Sequence, residues 1–142
     1  MPSRILIADD NQQGVELLEA YLDELGAEVK TAADGEATLK LVDEWKPDVL
    51  LLDIMMPRMS GFEVCKRLRH NTATKNLAIL MVTALDQPVD IERAVEAGTD
   101  DFLTKPINKN ELLVRVKALL AGKDNKNELD RVLNYMDTVQ HA

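Results

Sequence analysis

The chain has 142 residues, 46% of them apolar and 30% charged, and a formal net charge of −8 at pH 7. That size and content describe one domain able to bury a core without metal or disulfide staples, and the single cysteine, Cys65, excludes an intramolecular bridge. The acidic balance works against direct binding to nucleic-acid phosphates or anionic lipid, and no apolar stretch approaches the length that spans a bilayer. The opening "MPSRILIADD" has neither the apolar core nor the cleavage signature of a signal peptide, so a cytoplasmic location is expected.

Short aliphatic runs alternate with segments of helical period. "RILIA" (4–8) predicts the first strand. Val15, Leu18, Leu22 and Leu25 then share one helical stripe that stops at Gly26, predicting a helix over 12–26. "AEVKTA" (27–32) is the second strand. A helix over 35–45, with Leu41, Val42 and Trp45, ends at Lys46-Pro47 because proline disfavours helix in the residue before it. "DVLLL" (48–52) is the third strand, followed by a helix over 61–70 after Gly61. "AILMV" (78–82) is the fourth, followed by a helix over 88–97 bounded by Pro88 and Gly98. "DFLT" (101–104) is the fifth, and a last helix carries Leu112, Leu113, Val116, Leu119 and Leu120 up to Gly122. Five such alternations predict an α/β fold, a doubly wound five-stranded parallel sheet with helices on both faces.

That unit spans residues 1–122, and 123–142 form a polar break and tail. Beyond "GKDNKN", Leu129, Val132, Met136 and Val139 fall at 3, 4, 3 spacing. Two readings stand: a seam that pairs two chains, or a helix that folds back on the domain or frays.

Candidate chemistry sits at strand ends. Asp9 and Asp10 directly follow the first strand and Asp53 the third. In a sheet that places these strands side by side, the three carboxylates converge at the switch point. Their mutual repulsion calls for a cation, and an oxygen-rich site that accepts a phosphate suits Mg²⁺. Thr83 ends the fourth strand and Lys105 the fifth. A carboxylate nucleophile, a divalent metal, an ammonium and a hydroxyl are the parts for moving a phosphoryl group onto an aspartate. The lack of a general base fits, since phosphoryl transfer relies on positioning and charge neutralisation.

Each part also has a plainer explanation. Asp9, Asp10 or Asn11 could cap the helix at 12–26, Thr83 could be a β-branched strand residue, and Lys105 a solvated lysine near a turn. Their coincidence at four strand ends favours a site. Pro106 adds to this, since a cis Lys105–Pro106 bond would hold the lysine in a fixed direction. Pro57 and Gly61 read as turn residues, and Cys65 as a packing residue.

The motifs "ADD" (8–10), "LLLDIMMPRMSGFEVC" (50–65), "VTA" (82–84) and "DFLTKP" (101–106) resemble the receiver domain of two-component response regulators over residues 3 to 121. The wording is similar to receivers that precede cyclic-dinucleotide enzymes or other effector domains. The resemblance implies a flavodoxin-like fold and a regulatory domain that catalyses only its own phosphorylation and dephosphorylation. Asp53 would take the phosphoryl group from a histidine kinase or phosphotransferase. It implies Mg²⁺ held by Asp10 and Asp53, by Asp9 through water and by the main-chain carbonyl of Met55. Thr83 and Lys105 would hold the phosphoryl oxygens, and Phe102 would match the aromatic switch position. Met55 and Leu85 would flank the approach of the hydrolytic water, and the small Ala84 would leave room for a phosphodonor to enter. Nothing after Ala142 resembles an output domain, so two readings are open, a stand-alone receiver with a helical tail or a fragment of a longer regulator, of which the fragment is favoured. An aspartyl-nucleophile phosphohydrolase would want an acid where Met55 stands, and a pseudo-receiver would not need the complete site.

Overall fold

The computed structural model describes residues 2–123. The five aliphatic runs form β1 (Arg4–Ala8), β2 (Glu28–Ala32), β3 (Val49–Leu52), β4 (Ala78–Thr83) and β5 (Asp101–Thr104). All pair in parallel, in the order β2-β1-β3-β4-β5, which is the expected doubly wound sheet with the first and third strands adjacent. The four crossovers contain α1 (Gln12–Leu22), α2 (Gly35–Trp45), α3 (Gly61–His70) and α4 (Pro88–Ala97), and α5 (Lys109–Lys123) follows β5. The proposed apolar seam from Leu129 to Val139 lies outside the described residues.

Successive side chains of a strand point to opposite faces, which divides the apolar residues into two layers. Ile5, Ile7, Val49, Leu51, Leu80 and Val82 pack with Val15, Leu18 and Leu22 of α1 and Leu112, Val116 and Leu119 of α5. Leu6, Leu50, Leu52, Ile79 and Met81 pack with Val42 of α2, Val64, Cys65 and Leu68 of α3, and Ala94 and Ala97 of α4. Both faces of β3 are therefore covered, which is why it reads as an unbroken run of buried aliphatic residues. Cys65 is a packing residue as expected: fully buried, its Sγ 3.3 Å from the Ala97 carbonyl oxygen, its pKa pushed up by burial to about 11.

Several helix ends differ from the sequence reading. The first helix stops at Leu22 and tightens into a 3₁₀ turn over Asp23–Leu25, with Gly26 in the left-handed conformation donating to Asp23 O at 3.2 Å. The last carbonyls are satisfied sooner that way. Neither Asp9 nor Asp10 caps α1; the Asn11 side chain does, accepting from Gly14 N at 3.1 Å. The α2 helix ends as expected, with Lys46 left-handed at its C-cap. The last helix passes through Gly122 to Lys123.

At the amino-terminal edge of β4, a polar clamp joins α3 to the turn after α4. Arg69 donates to Gly98 O at 2.7 Å, Leu77 O at 2.6 Å and Lys75 O at 3.0 Å, and pairs with Asp100 Oδ2 at 3.0 Å. Gly98, at φ 101, leaves room for the arginine stem where a Cβ would meet Arg69 Cγ at 2.7 Å. One fork thus satisfies three carbonyls and a carboxylate, all but the Lys75 bond partly buried. Arg69→Met is expected to destabilise the domain by about 2 kcal/mol, seen as a lower urea midpoint at unchanged slope.

Candidate functional site

The register Ala8↔Leu52 brings the ends of β1 and β3 level, so the next residues, Asp9 and Asp53, leave the sheet together. Main-chain bonds fix both: Asp9 N donates to Ala32 O at 3.0 Å and Asp53 N to Ala8 O at 2.9 Å. Asp9 is 4% exposed and Asp53 7%, while Asp10 faces solvent. Ligand-capable oxygens of the three lie within 4.8 Å of one another.

Further groups converge on this cluster. Lys105, from the end of β5, sets its ammonium 2.7 Å from Asp9 Oδ2 and 3.3 Å from Asp53 Oδ2. Its main-chain N–H donates to Thr83 O at 2.8 Å, and the Lys105–Pro106 peptide bond is cis. Asp9 Oδ1 accepts from Asn11 N at 2.9 Å and Asp53 Oδ1 from Met55 N at 3.1 Å. Thr83 is fully buried, and its hydroxyl oxygen accepts from Leu85 N at 3.4 Å.

These contacts set the charges. Burial and the neighbouring charge of Asp9 push the Asp53 carboxyl above the ordinary aspartate value, against the Met55 amide, the Lys105 ammonium and the Thr83 hydroxyl. Burial works to lower the Lys105 pKa, but its hydrogen bond to Asp9 and the charges of Asp53 and Asp9 leave it raised. The lysine is thus a fixed cation, and the acids retain an excess of negative charge. Three clustered carboxylates, one of them open to solvent, are hard oxygen donors of the kind a small divalent cation takes.

The residues expected around this centre lie as follows. Phe102 on β5 is half-buried against the layer that contains Ala94 and Ala97 of α4. Met55 is 57% exposed, Ala84 is exposed, and Leu85 packs partly against the α2–α4 layer.

Two glycines border the site in a way that the sequence pattern does not reveal. Gly61 is not a turn residue: it opens α3, and a Cβ there would run into the Asp53 carbonyl oxygen and come within 2.8 Å of Ile54 Cα. The positive φ in that loop belongs to Arg58, at 67°. A Cβ on Gly14 would lie 3.4 Å from Asp9 Oδ2 and 3.6 Å from Lys105 Nζ. A glycine within the first turn of a helix is the one signal that could have found it.

The chain is similar to known proteins in sequence and in fold. Residues 5–117 match the response regulator receiver domain, and the chain belongs to that family. It is 44% identical over 123 residues to the response regulator PleD of Caulobacter vibrioides, covering 87% of this chain and 27% of that protein. It is 43% identical over 120 residues to the alkaline phosphatase synthesis transcriptional regulatory protein PhoP of Bacillus subtilis, covering 84% and 49%. The BeF3-activated receiver domain of DrrB, from Thermotoga maritima, superposes with a TM-score of 0.76 at 33% identity, covering 85% of this chain and 99% of that one. The chain thus spans about a quarter to a half of the curated relatives it matches. The domain is a regulatory one of two-component signalling, a class that acts with kinases and output domains. Among the described residues no helix is long and apolar enough to cross a membrane.

The raised Asp53 pKa has a thermodynamic consequence. The folded state binds the Asp53 proton more tightly than the unfolded state, so this group lowers stability as pH rises from the unfolded value of the carboxyl to its raised folded value. Without divalent cation, Asp53→Asn is expected to be more stable than the wild type at neutral pH. Its urea midpoint should also change less between pH 4 and 7.

Proposed function

We propose that Asp53 is the phosphoacceptor of this domain, taking a phosphoryl group from a phosphohistidine of a kinase or phosphotransferase. The observation that carries this reading is the buried Asp53 carboxylate beside Asp9, with the Lys105 ammonium bridging both. A carboxylate oxygen of Asp53 bonds to phosphorus as the phosphorus–nitrogen bond of the donor breaks, and the imidazole leaves. The acids Asp9, Asp10 and Asp53, with the main-chain carbonyl of Met55, would hold Mg²⁺, which neutralises phosphoryl charge when bound. The Lys105 ammonium then pairs with a phosphoryl oxygen, and the Thr83 hydroxyl donates to another. Ala84, small and exposed, leaves room for the donor. The Met55 side chain stands where a phosphohydrolase would want its second acid, and the full set of Asp9, Asp10, Asp53, Thr83 and Lys105 is more than a binding module needs.

The new dianion biases Thr83 toward the phosphoryl group, and Phe102 follows into the space vacated, repacking the face of α4, β5 and α5. Exposed Val89, Ile91 and Val95 of α4 and Val114 of α5 support this face as the surface offered to an output domain or partner. Incubation with Mg²⁺ and acetyl phosphate is expected to add one phosphoryl group to the wild type and none to Asp53→Asn, by intact mass. Beryllium fluoride, with which the DrrB receiver was activated, should shift the NMR signals of Thr83 and Phe102. Unchanged signals at both would refute the switch.

The lifetime of the phosphoryl group follows from the rim. Neither Met55 nor Leu85 can orient a water for in-line attack, and the exposed Met55 presents apolar bulk beside that approach. Self-dephosphorylation is therefore slow, and Met55→Asn with Leu85→Glu is expected to accelerate it about ten- to a hundredfold in a phosphate-release time course.

A further inference from the structure

The loop of residues 54–60 joins Asp53 to α3, and its hydrogen bonds make it a compact unit. Met56 N donates to Ile54 O at 3.2 Å, Met59 N to Pro57 O at 2.7 Å and Gly61 N to Ile54 O at 2.8 Å. Its first turn holds the Asp53 carboxylate through the Met55 N–H.

The opposite side of this unit rests on the amino-terminal turn of α2. A Cβ on Gly35 would fall 2.8 Å from Met59 Cβ and 2.9 Å from Met59 Sδ, so Met59 occupies the space an alanine would need. Gly35 opens a helix, where alanine is the better former; space, and not helix propensity, is what calls for glycine here. Beside it, Arg58 brings its guanidinium 3.7 Å from Asp34 Oδ2. Asp34 is itself fixed as the cap of α2, accepting from Ala37 N at 2.8 Å.

We infer that the first turn of α2 is a seat for this loop and that Met59, lodged against Gly35, is a positioning residue for Asp53. The nearest clashing atom, Met59 Cβ, is tied directly to the main chain and cannot rotate away as a side-chain tip could. A Cβ on Gly35 therefore displaces the loop, and with it the Met55 N–H and carbonyl. Only the use of Mg²⁺ as a probe rests on the function proposed above.

The test uses the full chain, with the Met55 amide resonance of the metal-free protein and the Mg²⁺ dissociation constant from NMR titration as readouts. Gly35→Ala is expected to shift the Met55 amide and weaken Mg²⁺ binding about tenfold. Adding Met59→Gly, which removes the obstructing Cβ, should restore affinity to within about twofold of the wild type, whereas adding Met59→Ala, which keeps it, should restore less. A merely weakened α2 would not be rescued by a second, loop-loosening substitution. Met59→Ala alone, which empties the seat without a clash, should weaken Mg²⁺ about threefold, and serves if Gly35→Ala does not fold. The inference is overturned if Gly35→Ala, or Met59→Ala in its place, leaves both readouts unchanged, or if Met59→Gly brings no rescue. A wild type that takes up no Mg²⁺ counts against the proposed function, and the Met55 amide alone then decides the seat.

Discussion

The ammonium of Lys105 between Asp9 and Asp53 is the contact on which the site depends, because two almost fully buried carboxylates cannot stand side by side without a cation. Each partner arrives from a different strand, and each strand is held by its neighbours. The β2-β1-β3 order levels Asp9 with Asp53. The β4–β5 pairing carries Lys105 past Thr83, whose carbonyl accepts the lysine N–H. An error in one strand would separate the charges it delivers.

The sheet can keep this concentration of charge because the cost is met by burial elsewhere. Two apolar layers cover both faces of β1, β3 and β4, and Asp9 and Asp53 emerge just past the carboxyl ends of β1 and β3. Excess negative charge at those ends lowers the stability of the metal-free domain and leaves a demand for cation or for protonation of Asp53. A domain whose clustered carboxylates repel one another is sensitive to whatever neutralises that charge. Arg69 ties the far end of α4 to α3 and to the strand entrances, whereas the start of α4, next to Thr83, exposes Val89 and Ile91.

Loop 54–60 shows how close packing without charge can serve a charged site. Gly35, Met59 and Gly61 bear no group that touches a phosphate or a metal, yet the first two set where the loop rests and the third lets α3 begin against the Asp53 main chain. The cost of a Cβ at either glycine is steric, and it is transmitted to the Met55 N–H that steadies Asp53.

The periodicity of the chain was enough to determine the five strands, the five helices and the parallel α/β class, because buried parallel strands are unbroken aliphatic runs and their helices carry one apolar stripe. Asp9, Asp10, Asp53, Thr83 and Lys105 were legible for the same reason: strand ends are local features, and polar residues at each of them stand out against the run before. Helix ends were less so. Asn11 and not its acidic neighbours caps α1, and Gly26 ends a 3₁₀ turn, since capping depends on a competition among nearby polar groups that spacing does not resolve. Only the tertiary structure decided that Lys105 bridges Asp9 and Asp53, that Gly61 makes room for the Asp53 main chain and that Gly35 receives Met59. Those contacts join residues far apart in the chain, and which atoms meet is set by how the strands and helices pack, a property that no local pattern contains.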